Sequence, residues 1–306
     1  MSVKIFGHQN PDTDTITSAI VLCDIETQLG NDCVSTRLGG ISAETKYALD
    51  YFNHEAPEQI DSVNDNDEVM LVDHNEFQQS AENIENAVVL KVFDHHRIAN
   101  FQTEGPLYYR AEPVGCTATI LNKIYKEHNL TVSKQMAGLM LSAIISDTLL
   151  FKSPTTTDED IAAAEELEKI AEVNADEYGI EMLKAGASTK DKTAEALITG
   201  DAKTFAMGNK NSRIAQINVV DVDEVFARKA EIEAAINKEI ETEGYDLFIL
   251  VVTDILKSNS KVLALGHDAL SVEKAFDVTL DQDTAVLEGV VSRKKQVVPN
   301  ITQALS

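Results

Sequence analysis

The sequence predicts an α/β protein of two domains, and three observations predict it. Apolar runs of strand length alternate with stretches of helical periodicity through the first half of the chain, the pattern of a parallel sheet with helices on both faces. Three of those runs end in Asp and His: Gly7-His-Gln-Asn-Pro-Asp-Thr-Asp14, Asp73-His-Asn-Glu76 and Asp94-His-His96. Ligands of open α/β sheets bind beyond the carboxyl ends of the strands, so the three endings read as one site assembled from three strands. A small, polar stretch, Gly186-Ala-Ser-Thr-Lys-Asp191, then separates a second set of elements from the first.

The first strand is predicted over 2–6, and Ile16, Ala19, Ile20 and Cys23 follow Asp14 at helical spacing. Cys33-Val-Ser-Thr36 is a weaker strand, and residues 68–72 and 88–93 are two stronger ones. Thr117, Ile120, Leu121 and Ile124 mark a helix entered through Pro113-Val-Gly115. Met136, Met140, Ala143 and Ile144 share one face of a helix from Lys134 to Thr148, and Asp147 continues that inward face. Desolvating an unpaired carboxylate is too costly, so an inward Asp147 calls for a cation; the alternative is a helix-end residue that turns into water, and the suspected metal site favours the inward ligand. Residues 158–186 look helical, rich in Ala and Glu. With a linker at 188–192, the domains are 1–187 and 193–306. In the second, 213–219, 247–252, 261–265 and 286–291 read as strands, and 222–242 as one helix carrying Val225, Phe226, Ile232, Ile236 and Ile240 toward a core.

Composition excludes more than it identifies. The 306 residues are 43% apolar and 25% charged, as in a soluble globular chain with an ample core. No apolar run approaches the roughly 20 residues that cross a bilayer, and a strand-like segment starts almost at once, so neither a membrane span nor a signal peptide is expected. A net charge of −25 argues against a nucleic-acid surface. Cys23, Cys33 and Cys116 have no Cys-x-x-Cys spacing, which favours a reducing cytoplasm over a zinc or disulfide framework.

The candidate metal ligands are His8, Asp12, Asp14, Asp73, His95 and Asp147. Carboxylate plus imidazole, without thiolate, suits Mn²⁺ or a similar divalent ion. Six such groups are too many for one ion that keeps open positions, but suit two ions about 3.5–4 Å apart sharing one carboxylate. Asp12 and Asp14 alone would pass for a turn and a helix cap; the recurrence of Asp with His at two further strand ends favours a common site. His74 and Glu76 are expected to orient ligands, whereas His54, His128 and His267 lack such a context. Ser292-Arg-Lys-Lys295 places three cations together in an acidic chain, a candidate anion clamp with Lys203 as a weaker member. No phosphate-binding Gly-x-x-x-x-Gly-Lys loop, dinucleotide Gly-x-Gly-x-x-Gly turn or Gly-x-Ser-x-Gly elbow is present.

Together these segments closely resemble the family II, manganese-dependent inorganic pyrophosphatases of the DHH phosphoesterase superfamily. Val114-Gly-Cys-Thr-Ala-Thr119, Ser146-Asp147-Thr148 and Ser292-Arg-Lys-Lys-Gln-Val-Val-Pro299 extend the likeness over nearly the whole chain, in the family's order. Thr15 stands where many relatives carry a small residue such as Ala. The resemblance implies an N-terminal parallel-sheet DHH domain, a smaller C-terminal α/β domain of mixed sheet, and an active site in the cleft between them. It implies that His8, Asp12 and Asp147 hold one metal, that Asp14 and His95 hold the other, and that Asp73 bridges both. His96 would face the substrate and help protonate the leaving phosphate, while Lys203, Arg293 and Lys294 would bind phosphate oxygens. The implied reaction is diphosphate plus water to two phosphates, with a metal-bridging hydroxide as nucleophile, Mn²⁺ or Co²⁺ at two sites and Mg²⁺ entering with the substrate. A cytoplasmic homodimer joined at an edge strand of the N-terminal domain is also implied.

The runner-up is an exopolyphosphatase of the same superfamily, which tends to have Asn in place of His8. A DHH oligonucleotide phosphatase would carry a Gly-Gly-Gly-His motif that Leu265-Gly-His267 lacks. A metal-dependent module without catalysis would not need the complete ligand set and cationic run.

Overall fold

The computed structural model describes residues 2–305. In it the chain forms two units, the first ending at Gly186 and the second beginning at Ala187, each built around its own sheet.

The first unit runs β1 (Val3–Phe6), α1 (Thr13–Gln28), β2 (Cys33–Arg37), α2 (Ala43–Tyr51), β3 (Glu58–Gln59), β4 (Glu68–Val72), β5 (Val88–Asp94), β6 (Tyr108–Ala111), α3 (Thr117–Glu127), α4 (Lys134–Thr148), α5 (Asp158–Ala171) and α6 (Ala175–Ala187). Its six strands lie in the order β3-β2-β1-β4-β5-β6, all parallel. The chain winds outward from β1 through β2 to β3, then returns to the other side of β1 and winds through β4 to β6. The direction of winding therefore reverses between β1 and β4, which leaves a crevice beyond their carboxyl ends. The short edge strands β3 and β6 were not visible in the sequence, being too brief and polar to show a period.

Helix α1 starts where Asp12 accepts the Thr15 N–H at 3.0 Å. It packs on β1 and β2 and against α3 and α4, burying Ile16, Ala19, Ile20 and Leu22. The opposite side of Phe6, Val69, Leu71 and Val92 is filled by Leu38, Val63, Ala81 and Ile84. The expected helix over 158–186 is two helices: Glu172 turns left-handed, with φ 56°, and the Asn174 side chain then accepts the Glu177 N–H. Beyond α4, Leu149, Leu150 and Phe151 are left-handed in succession, with φ 47°, 53° and 63°. Each costs an L-residue about 1–2 kcal/mol. The turn is held by Leu150 N–H on the Ile145 carbonyl and Phe151 N–H on the Thr148 hydroxyl.

The second unit contains α7 (Ala194–Thr199), β7 (Ala202–Met207), β8 (Lys210–Val219), α8 (Val222–Phe226), α9 (Lys229–Glu243), β9 (Leu247–Asp254), β10 (Asn259–Leu265), α10 (Ser271–Phe276), β11 (Thr284–Leu287) and α11 (Val298–Leu305). The sheet order is β11-β10-β9-β8-β7, with β8 and β9 parallel and the other pairs antiparallel. Strand β9 is buried along its whole length because both faces are covered. Leu197, Val225, Ile232 and Ile236 pack on one face, and Val272, Val297 and Ile301 on the other.

Two sequence expectations change here. The helix expected over 222–242 breaks at Ala227 and Arg228, and the Arg228 guanidinium donates to the Thr189 and Lys192 carbonyls. Residues 188–192 are therefore fastened to the second unit, and Glu224 also accepts the Thr189 N–H and hydroxyl. The strand expected over 286–291 ends at Leu287, and the Val290 carbonyl instead accepts the Ser260 hydroxyl.

Candidate metal centre

The strand ends at the crevice bring the acidic and imidazole residues together. His8 follows β1, Asp73 follows β4, Asp94 closes β5, and Asp12 and Asp14 start α1. Among the described residues three groups of potential donors result, the atoms within each lying within 4.8 Å of one another: His8, Asp12 and Asp73; Asp73, His95 and His96; and Asp14, Cys116 and Asp147. All six predicted ligands are present in these groups, and Asp73 is common to two.

Asp73 is the hub. It is 2% exposed and sits in the left-handed region with φ 58°, a conformation Asp tolerates better than most residues. Its N–H is fixed by the Phe93 carbonyl at 2.9 Å. The carboxylate accepts the Thr15 hydroxyl at 2.6 Å and the Thr117 hydroxyl at 3.2 Å. His8 Nε2 lies 3.4 Å from one oxygen and His95 Nε2 3.3 Å from the other. Burial alone would raise the Asp73 pKa, but the two imidazoles outweigh it and hold the group below the usual carboxylate range. In turn, burial would lower both imidazoles; pairing with Asp12 and Asp73 pushes His8 up to about 10, and Asp73 with Asp14 pushes His95 up to about 9. His95 Nδ1 donates to the Val114 carbonyl at 3.1 Å, which aims Nε2 at the site.

Asp14 is wholly buried and reaches the start of α3, accepting the Thr117 N–H at 2.7 Å, the Ala118 N–H at 3.3 Å and the Ser18 hydroxyl at 2.6 Å. Burial and the charge of Asp73 still raise it to about 6. Asp147, in the last turn of α4, stands 3.8 Å from His95 Nε2, and burial with Asp14 drives its pKa well up. Carboxylates that repel one another in this way are the donor set a divalent cation relieves, so the residues fit such an ion. Cys116 is a poor ligand there: burial and the charges of Asp14 and Asp147 push its thiol well up, so it stays protonated.

His96 is half exposed. Asp94 Oδ1 accepts its N–H and its Nδ1–H at 3.0 Å each, and this pairing raises the imidazole above its ordinary value. Asn75 holds the other oxygen of Asp94 at 2.6 Å. His74 does not orient a ligand as expected. Its ring bonds the Val72 carbonyl and the Ser80 hydroxyl, and burial keeps it neutral. Glu76 pairs instead with Arg97.

In the second unit, Lys203 on β7 and Lys294 are exposed, whereas Arg293 is 9% exposed in a π-helical turn, Arg293–Val297. The Arg293 guanidinium donates to the Asp201 carboxylate at 2.7 Å and to the Asp201 carbonyl. Another of its bonds reaches the carbonyl of Ile214, the residue paired with Lys203 across β7 and β8.

Comparison with known proteins bears on this arrangement. Residues 2–144 match the DHH family, N-terminal domain, and residues 180–304 match the DHHA2 domain. The manganese-dependent inorganic pyrophosphatase of Bacillus subtilis is 59% identical over 305 residues, covering 99% of each chain. The chain belongs to the family II inorganic pyrophosphatases. A solved Methanococcus jannaschii structure assigned to the same family superposes with a TM-score of 0.61 at 40% identity, covering 99% of both chains. An exopolyphosphatase-related protein from Bacteroides fragilis shares the fold, with a TM-score of 0.50 at 14% identity over 99% of this chain and 91% of that one.

Within this family II pyrophosphatase chain, sequence reasoning missed the groups that hold the candidate ligands. Thr15, Ser18 and Thr117 look like ordinary helix residues, and no local signal separates them from others. Asp160 is hidden in the same way. It accepts the Gly115 N–H at 2.8 Å, the Thr119 hydroxyl at 2.6 Å and both donors of Thr157. A Cβ at Gly115 would press on the Asp160 carboxylate, which accounts for glycine there. Asp160 thereby fixes the loop whose Val114 carbonyl and Thr117 amide orient His95 and Asp14.

Proposed function

We propose that the protein hydrolyses inorganic diphosphate to two phosphates, using two manganese ions, with cobalt as a substitute. The observation that carries the reading is Asp73, one carboxylate common to two donor groups with His96 beside it. The manganese dependence of the Bacillus subtilis relative supports the choice of metal. His8 and Asp12 would hold one ion, Asp14 and His95 the other, and Asp73 would serve both; Asp147, which the resemblance gives to the first ion, groups here with Asp14 and lies 3.8 Å from His95 Nε2, which favours the second. When bound, the ions would lower the pKa of a water between them, to supply hydroxide at neutral pH, and would offset the charge of the substrate.

The chain's own residues then divide the work. Asp73 is kept in place by Thr15 and Thr117. His96, its imidazole pKa raised first by the bond to Asp94, donates to the leaving phosphate. Lys203, Arg293 and Lys294 grip phosphate oxygens, Arg293 as a bidentate fork and the lysines as point charges. Magnesium arrives with the diphosphate. In this reading 1–187 is the catalytic domain, 188–192 the linker and 193–306 the phosphate-binding domain of a cytoplasmic homodimer.

Turnover on diphosphate, long-chain polyphosphate and an oligonucleotide, each with Mn²⁺ or Co²⁺, tests the assignment. Diphosphate is expected to be the fastest substrate by a wide margin. Faster hydrolysis of polyphosphate would favour the exopolyphosphatase reading and overturn this one.

A further inference from the structure

Cys23 and Cys33 stand apart from the metal centre, and their sulfurs lie 2.9 Å from one another. That is less than one ångström beyond a disulfide bond of about 2.05 Å. Cys23 is on α1 and Cys33 opens β2, ten residues apart across a tightly bonded turn. Leu29 N–H bonds the Ile25 carbonyl, Gly30 N–H that of Thr27, and Asn31 N–H that of Glu26. Cys33 is further set by its place opposite Val3 in the sheet and by its thiol on the Cys23 carbonyl at 3.2 Å. Both cysteines are partly exposed, while Cys116 is buried.

We propose that Cys23 and Cys33 form a reversible modification site, a dithiol that a hydroperoxide converts to an intramolecular disulfide. The fold holds the two sulfurs against each other, so joining them needs only a small side-chain movement. Thr27 places its hydroxyl 3.6 Å from the Cys33 sulfur, where it can donate to a thiolate. Burial and then its neighbour push the Cys23 thiol up to about 12. One sulfur of the pair, as thiolate, attacks an oxygen of hydrogen peroxide; the O–O bond breaks, hydroxide leaves and takes up the proton that this thiol gave up to become water, and the attacking cysteine becomes a sulfenic acid. The other sulfur then attacks that of the sulfenic acid, the S–O bond breaks, and hydroxide leaves with the second thiol's proton as a second water. Two thiols have lost two electrons and two protons, and hydrogen peroxide has been reduced to two waters. In a reducing compartment such a bond is transient, and a dithiol reductant restores the pair.

The test treats the reduced, full-length, metal-loaded protein with dilute hydrogen peroxide, alkylates it and maps its peptides. Trypsin leaves Cys23 and Cys33 in one fragment, residues 5–37. The expected result is loss of about two mass units from that fragment, with neither cysteine alkylated, and recovery of both alkylation sites after dithiothreitol. Cys116 serves as an internal control, alkylated only after denaturation. C23S and C33S each leave one sulfur without its partner and are expected to form no intramolecular disulfide, the remaining cysteine stopping at a sulfenic acid that a sulfenic-acid trap captures. The proposal is overturned if wild-type protein keeps both thiols alkylatable, or if one cysteine proceeds to sulfinic acid while the other remains alkylatable.

Discussion

Loading the stripped protein with Mn²⁺ near neutral pH should expel protons, and the structure gives their number. An imidazole binds a metal only when neutral on the binding nitrogen. Without metal, His8 is raised to about 10 and His95 to about 9, so each carries a full proton at pH 7. Asp14, raised to about 6, adds roughly a tenth of a proton, and Asp147, whose carboxyl burial and Asp14 drive well up, adds at most about one. Filling both sites should therefore release about two to three protons. Protons compete with the metal, so affinity must rise with pH. The slope of the logarithm of the combined binding constant equals the protons released, about a 100- to 1000-fold gain from pH 7 to pH 8. The slope should flatten as pH passes through the two imidazole values. Calorimetric titration in two buffers of different ionisation heat counts the protons directly. His95→Gln should reduce the count by about one. Release of less than one proton per two metals would refute the reasoning, because the imidazoles would then already be neutral.

Four further outcomes follow from the same geometry. Asp73→Ala should abolish turnover and weaken both metal sites; two tightly bound metals in that variant, by elemental analysis after gel filtration, would end the bridging role. Asp160→Asn keeps the shape but turns charge-assisted bonds from Gly115 and Thr157 into neutral ones, at a cost of about 2 kcal/mol in denaturant unfolding and with weaker metal binding. Lys294→Ala should raise KM for diphosphate while metal content stays normal, and an unchanged KM would make that lysine a solvated turn residue. The metal-free protein should melt at lower temperature as pH rises. His8 and His95 have folded values above the ordinary 6.5, so their pairing stabilises fully below that pH and is lost as pH passes through about 9 to 10; a melting temperature that holds steady from pH 6.5 to 10 would contradict the pairing.

What was legible in the sequence was whatever a residue shares with its chain neighbours. An apolar run followed by Asp and His can be read locally, and that pattern brings His8, Asp73 and His95 into the candidate set. Asp147 emerged from helical periodicity, because its position on the inward face depends only on Met140 and the helix repeat. The reversal of winding between β1 and β4 was hidden, since it depends on which side of β1 the fourth strand pairs. The left-handed turn at Leu149-Leu-Phe151 was hidden too: three bulky residues carry no turn signal, and the contacts around them must hold them there.

The ligand supports show the limit most clearly. Thr117 meets Asp14 across 103 residues, and Asp160 meets Gly115 across 45. Neither pair has a local pattern, yet each decides whether a carboxylate or an imidazole points into the site. The basic run at Ser292 shows the converse. Three adjacent cations look alike in sequence, but Asp201, 92 residues away, engages Arg293, while Lys294 is exposed. Arg293 would meet a phosphate with a guanidinium that Asp201 already orients, whereas Lys294 would meet it unaided. In the proposed reaction the two cations therefore differ: Asp201 holds the arginine fork ready at fixed orientation, and the lysine supplies charge that must be ordered when substrate arrives.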